Sequence, residues 1–188
     1  PDVVSVAVPT RFHRPVAVAA LEAGSHVFVE KPLALSVTDG QAILDAARRT
    51  GRKLAVGHIE RFNPAVVELK RLLDEGQLGR MFQLRSRRVG PFPPRVEDVG
   101  VVFDLATHEV NILEYLTQAR ITSLYAETQR EIHAAHEDLL SGVLKFSNGA
   151  VGVLDINWLT PKTFRELTNI GERGMFAVTY LTKELQFF

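Results

Sequence analysis

The sequence predicts an α/β protein in two parts: half of a doubly wound parallel sheet, then an antiparallel or mixed sheet with helices on one face. Three observations predict it. Up to Gly57, short apolar runs alternate with helical stretches; beyond Gly57, strand-like runs follow one another with turns between; and one long helical stretch, about Val99 to Leu116, interrupts those strands. The boundary is placed at residues 1–60 and 61–188.

Val3 to Val8 is a short apolar run of β-branched character, as expected of a strand covered on both faces. A helix follows, with Pro15 in its first turn, "VAVAALEA" as good helix formers and Gly24 just past its end. The next strand runs from His26 to Val29. "SVTDGQAILDAARRT" then reads as a helix with Ser36 as N-cap and Gly51 as stop, and "KLAVG" is a third strand. Strand, helix, strand, helix, strand at this spacing implies two right-handed crossovers in a parallel sheet with helices on its faces.

In the second part, Pro64 to Glu75 is an amphipathic helix ended by Gly76. Strands are expected at Met81 to Val89, Ile121 to Ile132, Leu139 to Phe146, Ala150 to Trp158, Glu166 to Ile170 and Met175 to Tyr180. Asn148-Gly149, between "GVLKF" and "AVGVL", is the strongest hairpin signal.

Composition excludes several classes. At 46% hydrophobic residues the chain has enough apolar material for a core, and its 22 basic residues cancel its 22 acidic ones, so overall charge recommends neither nucleic acid nor an anionic membrane. The apolar runs are too short to span a bilayer. With no cysteine there is no disulfide framework or thiolate metal site, and a reducing, cytoplasmic setting fits. The chain opens at Pro1 directly on interior-strand texture, which reads as a start in mid-domain.

Ligands of open parallel sheets bind beyond the carboxyl ends of the strands. Three segments end there: "VPTRFH", "EKP" and "GHIERFNP". Pro32 biases Lys31 away from helical geometry, so the lysine leaves the strand extended. Beside Glu30, its ammonium can donate hydrogen bonds to a substrate hydroxyl and favour oxyanion character; the alternative is a solvated Lys-Pro turn. On the long helix, Asp104, His108, Asn111 and Tyr115 fall in one narrow stripe beside the apolar flank of Val102, Leu105, Ile112, Leu113 and Leu116. A His one turn from an Asp suits general acid-base work; the alternative is a polar face that caps neighbouring strands. One His and one Asp fall short of a metal site, so none is assigned, and His133 and His136 read as surface residues.

"VSVAVPTRFHRPVAVAALEAGSHVFVEKPLALS", "AVGHIERFNPAVVELK" and "GVVFDLATHEVNILEYL", in this order and spacing, resemble the glucose-fructose oxidoreductase and inositol dehydrogenase (Gfo/Idh/MocA) family over essentially the whole chain. "RRVGPFPPRVEDVGVVFDLATH" and "NWLTPKTFREL" are most similar to the branch that acts on nucleotide sugars. The resemblance implies a Rossmann-type domain for NAD or NADP, here only its C-terminal part, and an α+β domain whose open sheet binds substrate and forms a homo-oligomer interface. It implies hydride transfer between the cofactor and a secondary hydroxyl of a sugar or nucleotide sugar. Lys31, Asp104 and His108 take the catalytic positions, with His108 the base, and Pro9, Thr10, His13, Glu30 and Lys31 line the cofactor. Ala106 and Asn111 depart from the family pattern, and Asn111 is given no role. A nucleotide-sugar diphosphate would need cations, for which Arg61, Arg88, Arg95, Lys162 and Arg165 are candidates. The Gly-rich dinucleotide fingerprint is absent, so these residues alone are expected to bind nicotinamide cofactor weakly. An inositol or simple-sugar dehydrogenase, or a catalytically silent sugar sensor, remains open on the same scaffold.

Overall fold

The first five elements are β1 (Val3–Val6), α1 (His13–Glu22), β2 (His26–Glu30), α2 (Val37–Thr50) and β3 (Leu54–Gly57). The strands lie in the order β1-β2-β3, all parallel, with Val6 beside Val29 and Val29 beside Val56. Ser36 caps α2 by accepting the Asp39 N–H at 3.1 Å, and Gly51 closes it in the left-handed region at φ 65°. These elements belong to the first of two compact units, Pro1–His58 and Ile59–Phe188; the computed structural model describes residues 1–94, 96 and 99–188.

One expectation is corrected here. Both helices cover the same face of the sheet: Val6, Val27 and Val29 pack with Ala17, Leu21, Ile43 and Ala46 in one cluster. Two right-handed crossovers that advance in the same direction put both helices on one side. The opposite face, with Phe28 and Glu30, is exposed, so the strands are not covered on both faces within this unit.

The second unit begins with a 3-10 turn, Ile59–Phe62, and α3 (Pro64–Asp74), capped by Asn63. β4 (Met81–Pro91) follows. Residues 101–117 are helical, first as a π-helical turn, Val102–Ala106, then as α4 (Thr107–Thr117). β5 (Ile121–Gln129), β6 (Leu139–Phe146), β7 (Val151–Asn157), β8 (Leu159–Gly171), β9 (Gly174–Thr179) and β10 (Glu184–Phe187) complete it. The sheet order is β10-β9-β8-β4-β7-β6-β5, antiparallel except where β4 runs parallel to β7. Gly149 turns the β6–β7 hairpin at φ 92°, where Phe146 and Ala150 close the loop.

β8 starts well before its expected Glu166. Pro161 and the charged residues around it suggest a loop, yet along this stretch β8 pairs only with β4, and a proline is tolerated on a strand side that needs no ladder bond. β10 escapes the sequence pattern because four residues paired on one side carry little periodicity.

The helices cover one face of this sheet. Leu69 from α3 and Ile112, Leu113 and Leu116 from α4 are buried against Leu84, Phe146, Ile156 and Leu167. The other face is open, with Arg87 facing Asp155 and Glu166 at 3.4 and 3.6 Å. β5 is nearly all exposed, including Leu124 and Tyr125, which point to opposite sides of the strand. Among the described residues no helix is long and apolar enough to cross a membrane.

Candidate active-site residues

In the first unit, the carboxyl ends of the three strands present Val8 to His13, Glu30 to Pro32 and Gly57-His58. The Lys31–Pro32 peptide is cis. Lys31 is half-buried, Glu30 and Pro9 are exposed, and Thr10 is half-buried at the start of a 3-10 turn. Gly57 makes room for Glu30: a Cβ at 57 would stand 3.1 Å from the Glu30 carboxylate. His13 is buried, its Nδ1 lying 2.9 Å from the Pro32 carbonyl and its Nε2 2.9 Å from the Val8 carbonyl. Its ring therefore ties two of these turns together and does not present itself to solvent.

In the second unit, Asp104 lies inside the π-helical turn and His108 in the first turn of α4; both are half-buried. π-turns within α-helices occur mostly at functional sites, and they shift the phase of the helix that follows. The N-terminus of the helical segment is held by Glu137, whose carbonyl accepts the Val101 N–H and whose carboxylate accepts the Val102 N–H. Gly100 leaves space for that carboxylate: a Cβ there would come within 2.2 Å of it.

Asp104 shares a pocket of about 150 Å³ with Arg88, Trp158, Thr163 and Arg165. Arg88 and Arg165 face each other across β4 and β8, but their circumstances differ. Arg88 is 4% exposed; its Nε donates to Glu109, and its guanidinium bonds Glu60 at 2.6 Å. Burial opposes its charge, but Glu109 and Glu60 more than offset that and hold it firmly protonated. Arg165 is half-buried on the pocket wall, and no carboxylate among the described residues pairs with it. Arg61 donates to Asn111 at 2.7 Å and lies over Tyr115. Lys162 is exposed above Phe164. Arg95 lies outside the described residues.

Three groups escaped the sequence analysis. Glu60, Ser86 and Glu109 surround Arg88, the Ser86 hydroxyl donating to the Glu109 carboxylate. A signal did exist for Glu109, which shares the helix face of Ala106, Leu113 and Leu116, an acid in a core position. The expectation for His133 is corrected: it is buried, stacked on Trp158, with its Nδ1 accepting the N–H groups of Ala135 and His136. Among the described residues no group of three or more His, Asp or Glu is placed to hold a metal. A concavity of about 640 Å³ lies on the open sheet face; its charged residues Arg87, Asp155 and Glu166 already face one another, and it holds neither Asp104 nor His108.

A parallel sheet with exposed turns at its carboxyl edge, followed by a helix-backed open sheet, defines the class: a two-part α/β scaffold. The chain belongs to the GFO/IDH/MocA family. Residues 66–177 match the model of the GFO/IDH/MocA C-terminal domain, and residues 1–58 match the oxidoreductase-family NAD-binding Rossmann fold. The whole chain is 28% identical to 58% of the UDP-N-acetylglucosamine 3-dehydrogenase of Acidithiobacillus ferrooxidans; its solved structure matches with a TM-score of 0.90, over 100% of this chain and 60% of that one. Inositol 2-dehydrogenase 2 of Saccharopolyspora erythraea is 33% identical across 82% of this chain and 47% of its own. A Bordetella pertussis dehydrogenase solved with NADH and UDP-GlcNAcA is 26% identical, with a TM-score of 0.90, over 99% of this chain and 62% of that one. The chain spans about half the length of the curated relatives it matches.

Proposed function

We propose that this chain is part of an NAD- or NADP-dependent dehydrogenase that transfers hydride between the nicotinamide and a secondary hydroxyl of a nucleotide sugar, as in a UDP-N-acetylglucosamine 3-dehydrogenase. The observation that carries this reading is the pocket lined by both Asp104 and Arg165, an arginine with no ion pair among the described residues. A neutral sugar needs no such cation, whereas a diphosphate does.

The turns at the first sheet's carboxyl edge fit a nicotinamide cofactor in their shape. Pro9 and Glu30 are exposed and Thr10 and Lys31 half-buried, so these turns offer side chains and backbone to a ligand. When bound, the cofactor supplies the hydride acceptor. Lys31 donates a hydrogen bond to the reacting hydroxyl and steadies its developing negative charge. His108 takes the hydroxyl proton, Asp104 orients the sugar or the imidazole, and Arg165 receives the diphosphate, while Lys162, over Phe164 on the other side of the same strand, takes no part. Arg88 and Arg61 play no part in this reception, since Glu109, Glu60 and Asn111 already engage them. The open sheet face, with its half-buried Arg87, Asp155 and Glu166, serves as the homo-oligomer surface, and a chain without cysteine suits a cytoplasmic setting.

The test uses a protein in which this chain carries a complete dinucleotide-binding domain, assayed with NAD and NADP against UDP-N-acetylglucosamine and myo-inositol. Lys31→Ala and His108→Ala are each expected to lower turnover by about 10²–10⁴-fold, the usual scale for a positioned acid or base. Arg165→Ala is expected to raise KM for the nucleotide sugar alone. Turnover of myo-inositol in preference favours the second reading, an inositol or simple-sugar dehydrogenase, which the Saccharopolyspora relative supports. Hydride transfer from none of these sugars favours a silent sensor.

A further inference from the structure

Arg88, Glu60, Glu109 and Ser86 form a buried polar cluster next to His108, and none of the roles above uses it. Glu109 follows His108 directly and is 1% exposed. One of its carboxylate oxygens accepts from Ser86 and the other from Arg88, both on β4. Arg88 reaches on to Glu60, in the turn that opens this unit. The next residue of that turn, Arg61, bonds Asn111 on α4 at 2.7 Å. Residues 60 and 61 thus reach α4 by two routes, one direct and one through Arg88, which meet the helix at Asn111 and Glu109, both just after His108.

The arrangement matters because of what precedes it. An α-helix turns about 100° per residue, and its apolar stripe normally fixes its rotation against a sheet. Here a π-helical turn, Val102–Ala106, comes immediately before α4 and resets the phase, so the buried face of α4 is set from Ala106 onward, with Glu109 on the same face as Ala106, Leu113 and Leu116. In the first turn of α4, from Thr107 to Val110, the buried side chain is Glu109 itself, and Ile112 and Leu113 follow it into the core. A carboxylate sealed between a hydroxyl and a guanidinium resists rotation more than an alkyl side chain, because leaving either donor strands a charge in the interior.

We propose that Glu109, locked by Ser86 and by the Glu60-bound Arg88, is a positioning residue that sets the rotation of α4 and so the place of the His108 imidazole. The inference rests on the assignment of His108 as the base. Glu109→Ala releases the lock but leaves Arg88 paired with Glu60, so folding is retained; Glu109→Gln keeps an acceptor for Arg88 while the Ser86 hydroxyl can turn to accept.

Steady-state kinetics of the complete enzyme separate the outcomes. Glu109→Ala is expected to lower kcat about 30-fold with substrate KM within about threefold, on the scale of a catalytic group displaced by less than an ångström. Glu109→Gln should recover most of that loss, and Ser86→Ala should give a smaller loss in the same direction. In a His108→Asn background, Glu109→Ala should cost less than about twofold more, because a residue that acts through His108 has nothing left to position. An equal loss in both backgrounds, or undiminished kcat in Glu109→Ala beside an inactive His108→Asn enzyme, overturns the positioning role. Near-normal turnover in His108→Asn instead overturns the functional reading on which it stands.

Discussion

The candidate lysine and the candidate histidine are held by different means. Lys31 sits in a turn whose neighbours are fixed by backbone: Pro32 and Val8 lend carbonyls to the one buried ring of His13. His108 sits on a helix anchored by a buried charge cluster drawn from β4, α4 and the 59–62 turn. The first arrangement joins residues at most 24 positions apart, from Val8 to Pro32, whereas the second spans Glu60 to Glu109. Local backbone contacts depend little on any one charge; a buried ionic cluster depends most on the member that the others share, here Arg88, whose loss would leave two carboxylates without their cation.

The largest expected effect tests that contrast. Arg88→Ala would leave Glu109 and Glu60 close together without their cation, and urea unfolding should show a loss of about 3–5 kcal/mol. The surface pair Arg14–Asp39, at 2.7 Å in the first unit, offers the control: Arg14→Ala should not measurably move the urea midpoint. Equal midpoints for wild type and Arg88→Ala would show that the cluster carries no stability and would erase the distinction between the two regions.

The next effect is steric and lies in the second sheet. Gly171 has ordinary backbone geometry, yet a Cβ there would come within 2.4 Å of the Leu78 side chain, 2.8 Å of the Leu78 carbonyl and 2.9 Å of the Arg80 carbonyl. Two of the three obstacles are backbone, so Gly171→Ala is expected to cost about 1–3 kcal/mol, read as a lowered thermal midpoint. Gly76 is its counterpart, with open space around it and φ 76°; there Ala meets a backbone penalty and no clash.

These contrasts explain what the sequence could disclose. The β1-α1-β2-α2-β3 order, the Ser36 cap and the Gly149 hairpin were legible because each depends on residues a few positions apart. The side on which both helices pack was not, because periodicity shows that a face is buried without showing which element buries it. On the helical segment 101–117, the Asp104 and His108 pair was visible as a polar stripe, but the π-helical turn that holds Asp104 leaves no compositional mark. Arg88 looked like a surface cation because its partners lie 21 and 28 residues away, on elements whose packing only the fold determines. His133 misled for the same reason: its burial depends on Trp158 and Phe92 from other segments.

A pH experiment sharpens the comparison between buried carboxylates. Asp138 is fully buried at the start of β6, and burial alone would raise its pKa. The N–H groups of His133, Ile132 and Glu131 converge on its carboxylate and hold the pKa below the ordinary aspartate value instead. A group with a depressed folded-state pKa contributes stability above its unfolded value, about 3.9, and loses that contribution as pH falls through the lower folded value. Asp138→Asn should therefore be clearly less stable than wild type at neutral pH, with the gap closing between about pH 4 and pH 2. A gap independent of pH over that range would mean that the loop 131–133 is held by shape alone.

The smallest expected effect compares the two helix caps. Ser36 accepts the Asp39 N–H at 3.1 Å and donates its hydroxyl to the Asp39 carboxylate at 2.9 Å, all within one turn of α2. Asn63 accepts the Ala65 N–H at 3.1 Å, but its amide also donates to the Tyr180 carbonyl at 3.2 Å, so one side chain both caps α3 and ties it to the end of β9. Ser36→Ala should cost about 1 kcal/mol, the ordinary value of a lost cap, since water can replace an exposed partner. Asn63→Ala should cost more, because the Tyr180 carbonyl also loses its donor. If urea midpoints fall equally for both variants, the Asn63–Tyr180 bond contributes nothing beyond the cap, and non-local contacts in the second unit weigh less than the Arg88 cluster implies.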